Sequence, residues 1–232
     1  MAFRQSKDPE APRLPVRAIL AAASGEGKTT LLTRIITETY RDCFEAIFMF
    51  SPSCDIDPAY DEIKKYVKNK LEPDYEWCFS EYDPEVLDKV IEDQTKLMKA
   101  HKEGKLKGKP FQCCVIIDDF SDSPEFTRNS KQLWALYARG RHQGISTFTL
   151  TQRWRALSPI VRLNASVVFA GRMRNTKDII ALAEELSGSR GVEALREAIS
   201  TAVSDAPYSY LKIDLMAPVE KAWRIRMDGS YL

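Results

Sequence analysis

The chain has 232 residues, of which 44% are hydrophobic and 29% charged, and this is ordinary for one globular domain with a sizeable core; two full domains would be cramped. A formal net charge of only +1 excludes nucleic-acid binding through global basicity, so any such contact must come from local clusters. The first 15 residues hold no apolar signal segment and no stretch approaches the roughly 20 apolar residues of a membrane span, so we expect a soluble, intracellular protein.

The N-terminal third of the chain begins with an arm and then alternates strands with helices. We assign residues 1–13 to the arm and 14–232 to a single domain, because no repeat or low-complexity linker divides the remainder. The apolar run "VRAILAA" (16–22) predicts a short buried strand, and "TTLLTRIITETY" (29–40) predicts an amphipathic helix. A second strand, "FEAIFMFSPS" (44–53), ends in a Ser-Pro turn.

Two helices and a third strand follow. The segments 59–72 and 84–101 have apolar residues at helical spacing, and Pro84 suits the first turn of the second helix. A connector rich in glycine and lysine, 102–110, leads into "FQCCVIIDDF" (111–120). This segment predicts a buried strand that ends in two carboxylates.

The C-terminal half continues the alternation. The segment "NSKQLWALYARGRHQG" (129–144) predicts a helix with a basic end, and strands are expected at 145–152 and 165–171. The remaining elements are two helices and a terminal β-hairpin: 176–186, 192–200, 208–215 and 221–229. Strands that alternate with helices indicate the α/β class, with a mostly parallel sheet covered by helices.

The stretch "AAASGEGKTT", between the first strand and the first helix, follows the phosphate-loop pattern G-x-x-x-x-G-K-[ST], with Ala22 at the place of the first glycine. Gly25 and Gly27 allow backbone angles that turn successive N–H groups toward a phosphate. Lys28 supplies charge to the β- and γ-phosphates, and the Thr29 hydroxyl is suited to ligate Mg²⁺. The predicted phosphate-binding set is Ser24, Gly25, Glu26, Gly27, Lys28, Thr29 and Thr30.

Polar side chains end the third and fourth strands. Asp118 can hold Mg²⁺ through water, and Asp119 can polarise the attacking water. Gln152 ends the fourth strand, where the carboxyl edge of a sheet meets ligands, and is a candidate for sensing the γ-phosphate. Structural roles are the alternatives, because aspartates also cap turns and an amide can satisfy loop backbone.

Five motifs occur in an order and spacing that resemble the FtsK/HerA superfamily, and within it the genome-packaging ATPases of poxvirus-like and membrane-containing icosahedral viruses with double-stranded DNA. They are "AAASGEGKTTLL", "IFMFSPS", "VIIDD", "RGRHQGIS" and "TLTQ". The resemblance covers residues 14–227. It implies a RecA-like P-loop NTPase of the ASCE type, in which the strand bearing Gln152 lies between the phosphate-loop strand and the Asp118 strand. The implied activity is ATP hydrolysis with Mg²⁺, coupled to the movement of double-stranded DNA into a capsid.

The resemblance also implies a homo-oligomeric ring, pentameric or hexameric, with ATP sites between subunits and with docking partners at the capsid or at a membrane-associated vertex. The protein would act in the host cytoplasm or nucleus during assembly, or in the virion. An arginine before the glutamine-bearing strand serves the neighbouring subunit in this superfamily, which indicates Arg141, with Arg139 in reserve. Asp119 stands where many members have glutamate, and the poxvirus-like branch often shows this aspartate pair.

Basic residues that could contact DNA form four clusters: 64–70, 102–109, 152–155 and 171–175. A motor that moves along DNA needs phosphate contacts that are independent of sequence. The loop after the fourth strand is preferred by resemblance to RecA-like motors, with Arg153 and Arg155 in contact with DNA. Trp154 between them either stacks on DNA or anchors the loop. The lysines of 64–70 are interpreted as a solvated helix face.

Other functions and sites are considered on their own signals. A P-loop kinase that phosphorylates a nucleotide or small metabolite is the main alternative, although its usual lid is rich in arginine and the connector 102–110 is rich in lysine. A GTPase needs N-K-x-D, and "NTKD" (175–178) has the wrong order. A nucleotide-gated scaffold without activity is disfavoured by the complete set of catalytic groups. Five cysteines and two histidines without ligand spacing predict reduced thiols and no metal cluster.

Overall fold

Eight strands form one sheet in the residues that the computed structural model describes, 2–120 and 130–232. In chain order they are β1 (Arg17–Ala21), β2 (Ala46–Phe50), β3 (Cys78–Phe79), β4 (Cys113–Asp118), β5 (Ile145–Thr151), β6 (Val167–Ala170), β7 (Leu211–Asp214) and β8 (Trp223–Ile225). Their order across the sheet is β3-β2-β4-β5-β1-β6-β7-β8. Pairs from β3 to β6 are parallel, and β6–β7 and β7–β8 are antiparallel. The mostly parallel sheet and the C-terminal hairpin are therefore confirmed.

The central strands β4, β5 and β1 are buried along their whole length, as expected for a parallel sheet covered by helices on both faces. Strand β5 nevertheless carries several hydroxyl side chains, and two of them have partners on neighbouring elements. Ser146 Oγ accepts from the Val16 N–H at 3.1 Å, and the Tyr137 hydroxyl donates to Thr149 Oγ1 at 2.9 Å. The order β4-β5-β1 places the strand that leads into Gln152 between the other two, as the resemblance implies.

Seven α-helices lie within the described ranges, and the first two continue into π-helical turns, Ile35–Thr39 and Val67–Leu71. They are α1 (Lys28–Arg34), α2 (Asp61–Tyr66), α3 (Pro84–Lys102), α4 (Lys131–Arg139), α5 (Pro159–Leu163), α6 (Thr176–Leu186) and α7 (Val192–Asp205). Pro84 opens α3, whose N-cap Asp83 accepts from the Glu85 and Val86 N–H groups, so its expected position is confirmed. Asn129, at the start of the predicted 129–144 helix, lies outside the described residues, as does Met1 of the arm.

Three elements differ from the sequence expectation. Strand β3 has two residues, which is too short to produce a period-2 pattern. Helix α5 was not predicted because it has only five residues, although Ser158 before Pro159 is an N-cap signal. Helix α7 continues to Asp205, beyond the predicted end at residue 200, because Ala202 still packs in the core.

The described part of the predicted arm is fixed to the domain at both ends. Near its start, Arg4 forms an ion pair with Glu45, with 3.0 Å between Nη1 and Oε1. Near its end, Glu10 pairs with Arg224 at 2.7 Å and accepts from Lys212 Nζ at its backbone carbonyl. These contacts hold the arm against the sheet and its C-terminal hairpin, and the boundary after residue 13 stays a prediction.

Two further expectations concern cysteines and membrane spans. Each of the five cysteines is a free thiol. The fold brings the ligand atoms of Cys54, Asp55 and Cys78 within 4.8 Å of one another, a grouping that the sequence spacing does not reveal. Among the helices of residues 2–120 and 130–232, none has the length and apolar character that crossing a membrane requires.

Candidate active site

The phosphate loop joins β1 to α1 and has the backbone that its glycines were predicted to allow. Gly25 and Gly27 lie in the left-handed region, with φ of 78° and 77°, where a residue with a Cβ is strained. Lys28 opens α1, and its ammonium donates to the carbonyl oxygens of Ala22 and Ala23, at 2.9 Å each. These bonds hold the ammonium across the loop, beside the helix N-terminus, where an anion is favoured.

The alanine in place of the first loop glycine has a structural complement on the neighbouring strand. Gly171 follows β6, and a Cβ built on it would lie 2.8 Å from the Cβ of Ala22. Real Cβ atoms do not approach so closely. Ala22 is therefore accommodated because residue 171 has no side chain, and the departure from the phosphate-loop pattern leaves the loop backbone intact.

The buried carboxylate of Asp118 lies in a hydroxyl network. The Tyr60 hydroxyl donates to Asp118 Oδ2 and lies 3.2 Å from Ser51 Oγ. Burial raises the pKa of Asp118 to about 6, and the bond from Tyr60 acts in the opposite direction. Burial also raises the pKa of Tyr60, which keeps it a donor. Thr29 lines the same cleft as Asp118, and such a pair of oxygen donors fits Mg²⁺.

Tyr60 and Ser51 were missed by the sequence reasoning. Ser51 directly follows β2, and Tyr60 ends a short 3₁₀ turn, Pro58–Tyr60, that begins after the capping residue Asp57. The Asp-Pro pair is a recognisable start signal for such a turn. Nothing in a single sequence, however, pairs Tyr60 with a carboxylate 58 residues away.

Two predicted catalytic side chains form a hydrogen bond between the end of β4 and the end of β5. Gln152 Nε2 donates to Asp119 Oδ1 at 3.0 Å. Asp119 has a φ of 59°, in the left-handed region. Aspartate and asparagine enter this region more readily than other residues with side chains, because their short polar groups can bond locally. This conformation gives a physical reason for aspartate at a position where glutamate is the common alternative.

The phosphate loop, Asp118, Asp119 and Gln152 line one cleft of about 1230 Å³. Six of the seven predicted phosphate-binding residues face it: Ser24, Gly25, Gly27, Lys28, Thr29 and Thr30. Glu26 does not line this cleft, and its carboxylate lies 3.8 Å from Arg172 Nε. The cleft is larger than the usual range for small-molecule sites, so it has room for a nucleotide.

Burial and charge act in opposite directions on the lysine of the loop. Burial lowers the pKa of Lys28, while Asp118, Asp119 and Glu26 raise it. The three carboxylates therefore favour the charged form that binding of phosphate requires.

Arg141 lies at the N-terminal end of β5, whereas this cleft lies at the C-terminal ends of the strands. It is exposed in the 3₁₀ turn Gly140–Gln143, which precedes β5, whereas Gln152 follows β5. A strand of seven residues spans about 20 Å, far more than the length of an arginine side chain. Arg141 Nε donates to His142 Nε2 at 3.2 Å, and Arg139 nearby is also exposed. Neither arginine reaches the phosphate loop of its own chain.

The loop after β5 exposes both predicted DNA-contacting arginines and buries the tryptophan between them. Trp154 is fully buried, and its Nε1 donates to Glu185 Oε2 at 3.0 Å. The backbone N–H of Arg155 donates to Asp178 Oδ1 at 2.9 Å. Of the two roles considered for Trp154, the structure favours anchoring of the loop. Arg153 and Arg155 extend outward on either side of this anchor.

The sheet order, the phosphate loop between β1 and α1 and the carboxylates at the end of β4 define a P-loop ATPase with a RecA-like fold. Within this class, residues 8–200 match the Poxvirus A32 protein family, and the chain belongs to that family. The predicted resemblance to viral packaging ATPases of the FtsK/HerA type is thereby confirmed. No curated protein sequence shows significant similarity to the chain.

Solved structures share the fold at low sequence identity. The genome packaging NTPase B204 from Sulfolobus turreted icosahedral virus 2, in complex with AMP, is 15% identical with a TM-score of 0.58, over 91% of this chain and 96% of that one. The DNA-packaging ATPase B204 from Sulfolobus turreted icosahedral virus is 16% identical with a TM-score of 0.57, over 91% and 96%. EssC (ATPases 2 and 3) from Geobacillus thermodenitrificans is 15% identical with a TM-score of 0.55, over 73% of this chain and 34% of that one.

Proposed function

We propose that the protein is an ATP-driven motor that moves double-stranded DNA into a viral capsid. The observation that carries this proposal is the convergence of Lys28, Thr29, Asp118, Asp119 and Gln152 on one cleft, in a chain of the Poxvirus A32 protein family. Two solved structures with this fold are described as a genome packaging NTPase and a DNA-packaging ATPase. A homo-oligomeric ring around duplex DNA, docked on the capsid, is the assembly that this function requires.

Each side chain of the cleft has a task in ATP hydrolysis. Lys28 and the loop N–H groups bind the β- and γ-phosphates, and Thr29 and Asp118 would hold Mg²⁺. When bound, Mg²⁺ offsets the negative charge that develops on the phosphates. Asp119 accepts a proton from the attacking water, and Gln152, which bonds to Asp119, orients that water.

The test of this function is ATP hydrolysis measured as phosphate release, with and without duplex DNA. A DNA motor should hydrolyse ATP in the presence of Mg²⁺ and should do so faster when duplex DNA is added. A P-loop kinase would instead transfer phosphate to a small acceptor, and a nucleotide-gated scaffold would do neither. Hydrolysis that is indifferent to DNA, together with phosphate transfer to an acceptor, would contradict the motor function and support the kinase.

Substitutions of the two carboxylates at the end of β4 should separate ATP binding from turnover. Asp119→Asn keeps the side-chain shape and suits the left-handed backbone, but it loses the basic oxygen, so it should bind ATP normally and hydrolyse it about 10²-fold or more slowly. Asp118→Asn should weaken ATP binding and Mg²⁺ dependence together. Equilibrium ATP binding and steady-state hydrolysis over an Mg²⁺ titration measure both effects. Equal losses of affinity with unchanged turnover would contradict this division of roles.

The loop after β5 should bind the phosphates of DNA. Replacing Arg153 and Arg155 together by glutamine should weaken all duplexes alike and flatten the slope of log affinity against log salt by about 0.9 per lost phosphate contact. A matched control replaces Lys68 and Lys70 by glutamine. Both lysines are exposed, so this control removes the same charge, and it should leave the slope unchanged. If the arginine pair has no effect on the slope, the DNA site lies elsewhere, and 102–109 is the next candidate.

A further inference from the structure

Tyr208 combines a bulky side chain with a backbone conformation that such residues rarely adopt. The Ser209 N–H donates to the Ala206 carbonyl at 3.2 Å, which closes a tight turn with Pro207 and Tyr208 at its centre. Tyr208 has a φ of 60°, at a turn position that glycine or asparagine usually occupies. Its side chain is 67% exposed, so core packing does not offset the strain. Residues held in this way gather at binding sites, and the outlier calls for a functional explanation.

The Tyr208 ring lies directly against the phosphate loop. A Cβ built on Gly27 would lie 3.2 Å from Tyr208 Cβ and 3.3 Å from its Cδ1. Tyr208 also lines the same cleft as Lys28 and Thr29. An exposed aromatic face is thus presented next to the site where the triphosphate is proposed to bind.

The cleft extends from the phosphate loop along one face of α1. Leu31 and Arg34 line it from α1, three residues apart on one side of that helix, and Glu38 lines it from the π-helical turn Ile35–Thr39. From Lys28 to Arg34 this face is about 9 Å long. The opposite wall is the C-terminal hairpin, where Arg226 is held by ion pairs to Asp205 and Asp228. A nucleotide whose phosphates bind at Lys28 therefore has space for its base between this helix face and the segment of Tyr208.

We propose that Tyr208 is the stacking platform for the base of the bound nucleotide, an inference that rests on the proposed function. An aromatic face recognises the face of a base, whatever the pattern of hydrogen-bond donors and acceptors at its edge. The larger ring system of a purine offers more area for this contact. Tyr208 is thus assigned to affinity for the nucleoside, while Lys28 and the loop provide affinity for the phosphates.

The experiment compares ATP with inorganic tripolyphosphate, which carries the negative charge without a base, by titration calorimetry. Tyr208→Gly should weaken ATP binding by on the order of ten- to a hundred-fold and leave tripolyphosphate binding unchanged. Glycine suits the left-handed turn, so this variant removes the ring without straining the fold. Tyr208→Phe retains the ring and should restore most of the affinity for ATP. Glu72→Gly is the matched control, because Glu72 also has a positive φ, 45°, and does not line the cleft.

Two outcomes would overturn the assignment. Tyr208→Gly could bind ATP as tightly as the unmodified protein, or it could lose ATP and tripolyphosphate equally, which would mean that the ring supports the loop instead of the base. Failure of the nucleotide site has a different signature, because the unmodified protein and Lys28→Ala would then bind ATP with equal affinity and tripolyphosphate with equal affinity. Failure of the proposed motor function would appear instead as ATP hydrolysis that is indifferent to duplex DNA.

Discussion

Lys28→Ala should abolish ATP hydrolysis, with a loss of roughly 10²- to 10³-fold or more, as when one preorganised charge-stabilising donor is removed from an active site. The Lys28 ammonium is held across the loop by the Ala22 and Ala23 carbonyls, so little reorganisation is needed for it to meet the phosphates. Asp118 and Asp119 lie close enough to act on its pKa, so the cation also balances the negative charge of the site. Phosphate release under saturating Mg²⁺ and ATP measures the loss.

Two controls separate this effect from unfolding. Lys28→Met keeps the aliphatic stem, and it should lose activity as Lys28→Ala does while melting at nearly the same temperature as the unmodified protein. Lys89→Ala removes an exposed lysine of α3 that does not line the cleft, and it should hydrolyse ATP normally. Normal hydrolysis by Lys28→Ala itself would mean that the glycine-rich turn is not the nucleotide site.

The sheet and the phosphate loop were predictable because their signals are local. Strands such as "CCVIID" are continuous apolar runs bounded by polar residues. The loop that wraps a phosphate needs a positive backbone angle at residue 27, and glycine adopts this angle without strain. Periodicity identifies strands but does not order them. The position of β5 between β4 and β1 came from the resemblance, and with it the proximity of Gln152 to Asp119.

The residues that the sequence reasoning missed depend on tertiary contacts. Tyr60 reads as an apolar position at a helix start, and only the fold brings its hydroxyl to Asp118 and Ser51. Gly171 is one glycine among several after a strand, and its role appears only opposite Ala22. Tyr208 belongs to no motif, because its significance lies in its left-handed turn beside Gly27. Each case is a contact between distant segments, and the local patterns of a single sequence do not reveal such contacts.

The place of Arg141 relative to the nucleotide cleft has a consequence for assembly. A residue before β5 and a residue after it lie at opposite ends of the strand. An arginine in the turn Gly140–Gln143 therefore serves an ATP site only when that site belongs to another subunit. This geometry supports action in trans over action in cis. A ring in which each subunit presents this edge to the phosphate loop of the next would pair one chain's Arg141 with its neighbour's Lys28.

Arg141→Ala should therefore bind ATP normally, because the phosphate loop is intact, and hydrolyse it roughly 10³-fold or more slowly, as when an arginine finger is lost. Arg196→Ala, which removes a partly exposed arginine of α7 outside the cleft, is the matched control and should be fully active.

Mixing Arg141→Ala with Lys28→Ala subunits should restore part of the hydrolysis activity, because an intact loop can then face an intact arginine across a subunit boundary. Both variants should be nearly inactive alone, so activity in the mixture would report the trans arrangement directly. If Arg139 is the acting residue, Arg139→Ala will show the same loss and the same rescue, and Arg141→Ala will show neither. If mixtures shown to co-assemble regain no activity with either arginine variant, then both arginines serve only to hold the end of α4 to the sheet, and the charge that completes the ATP site comes from elsewhere.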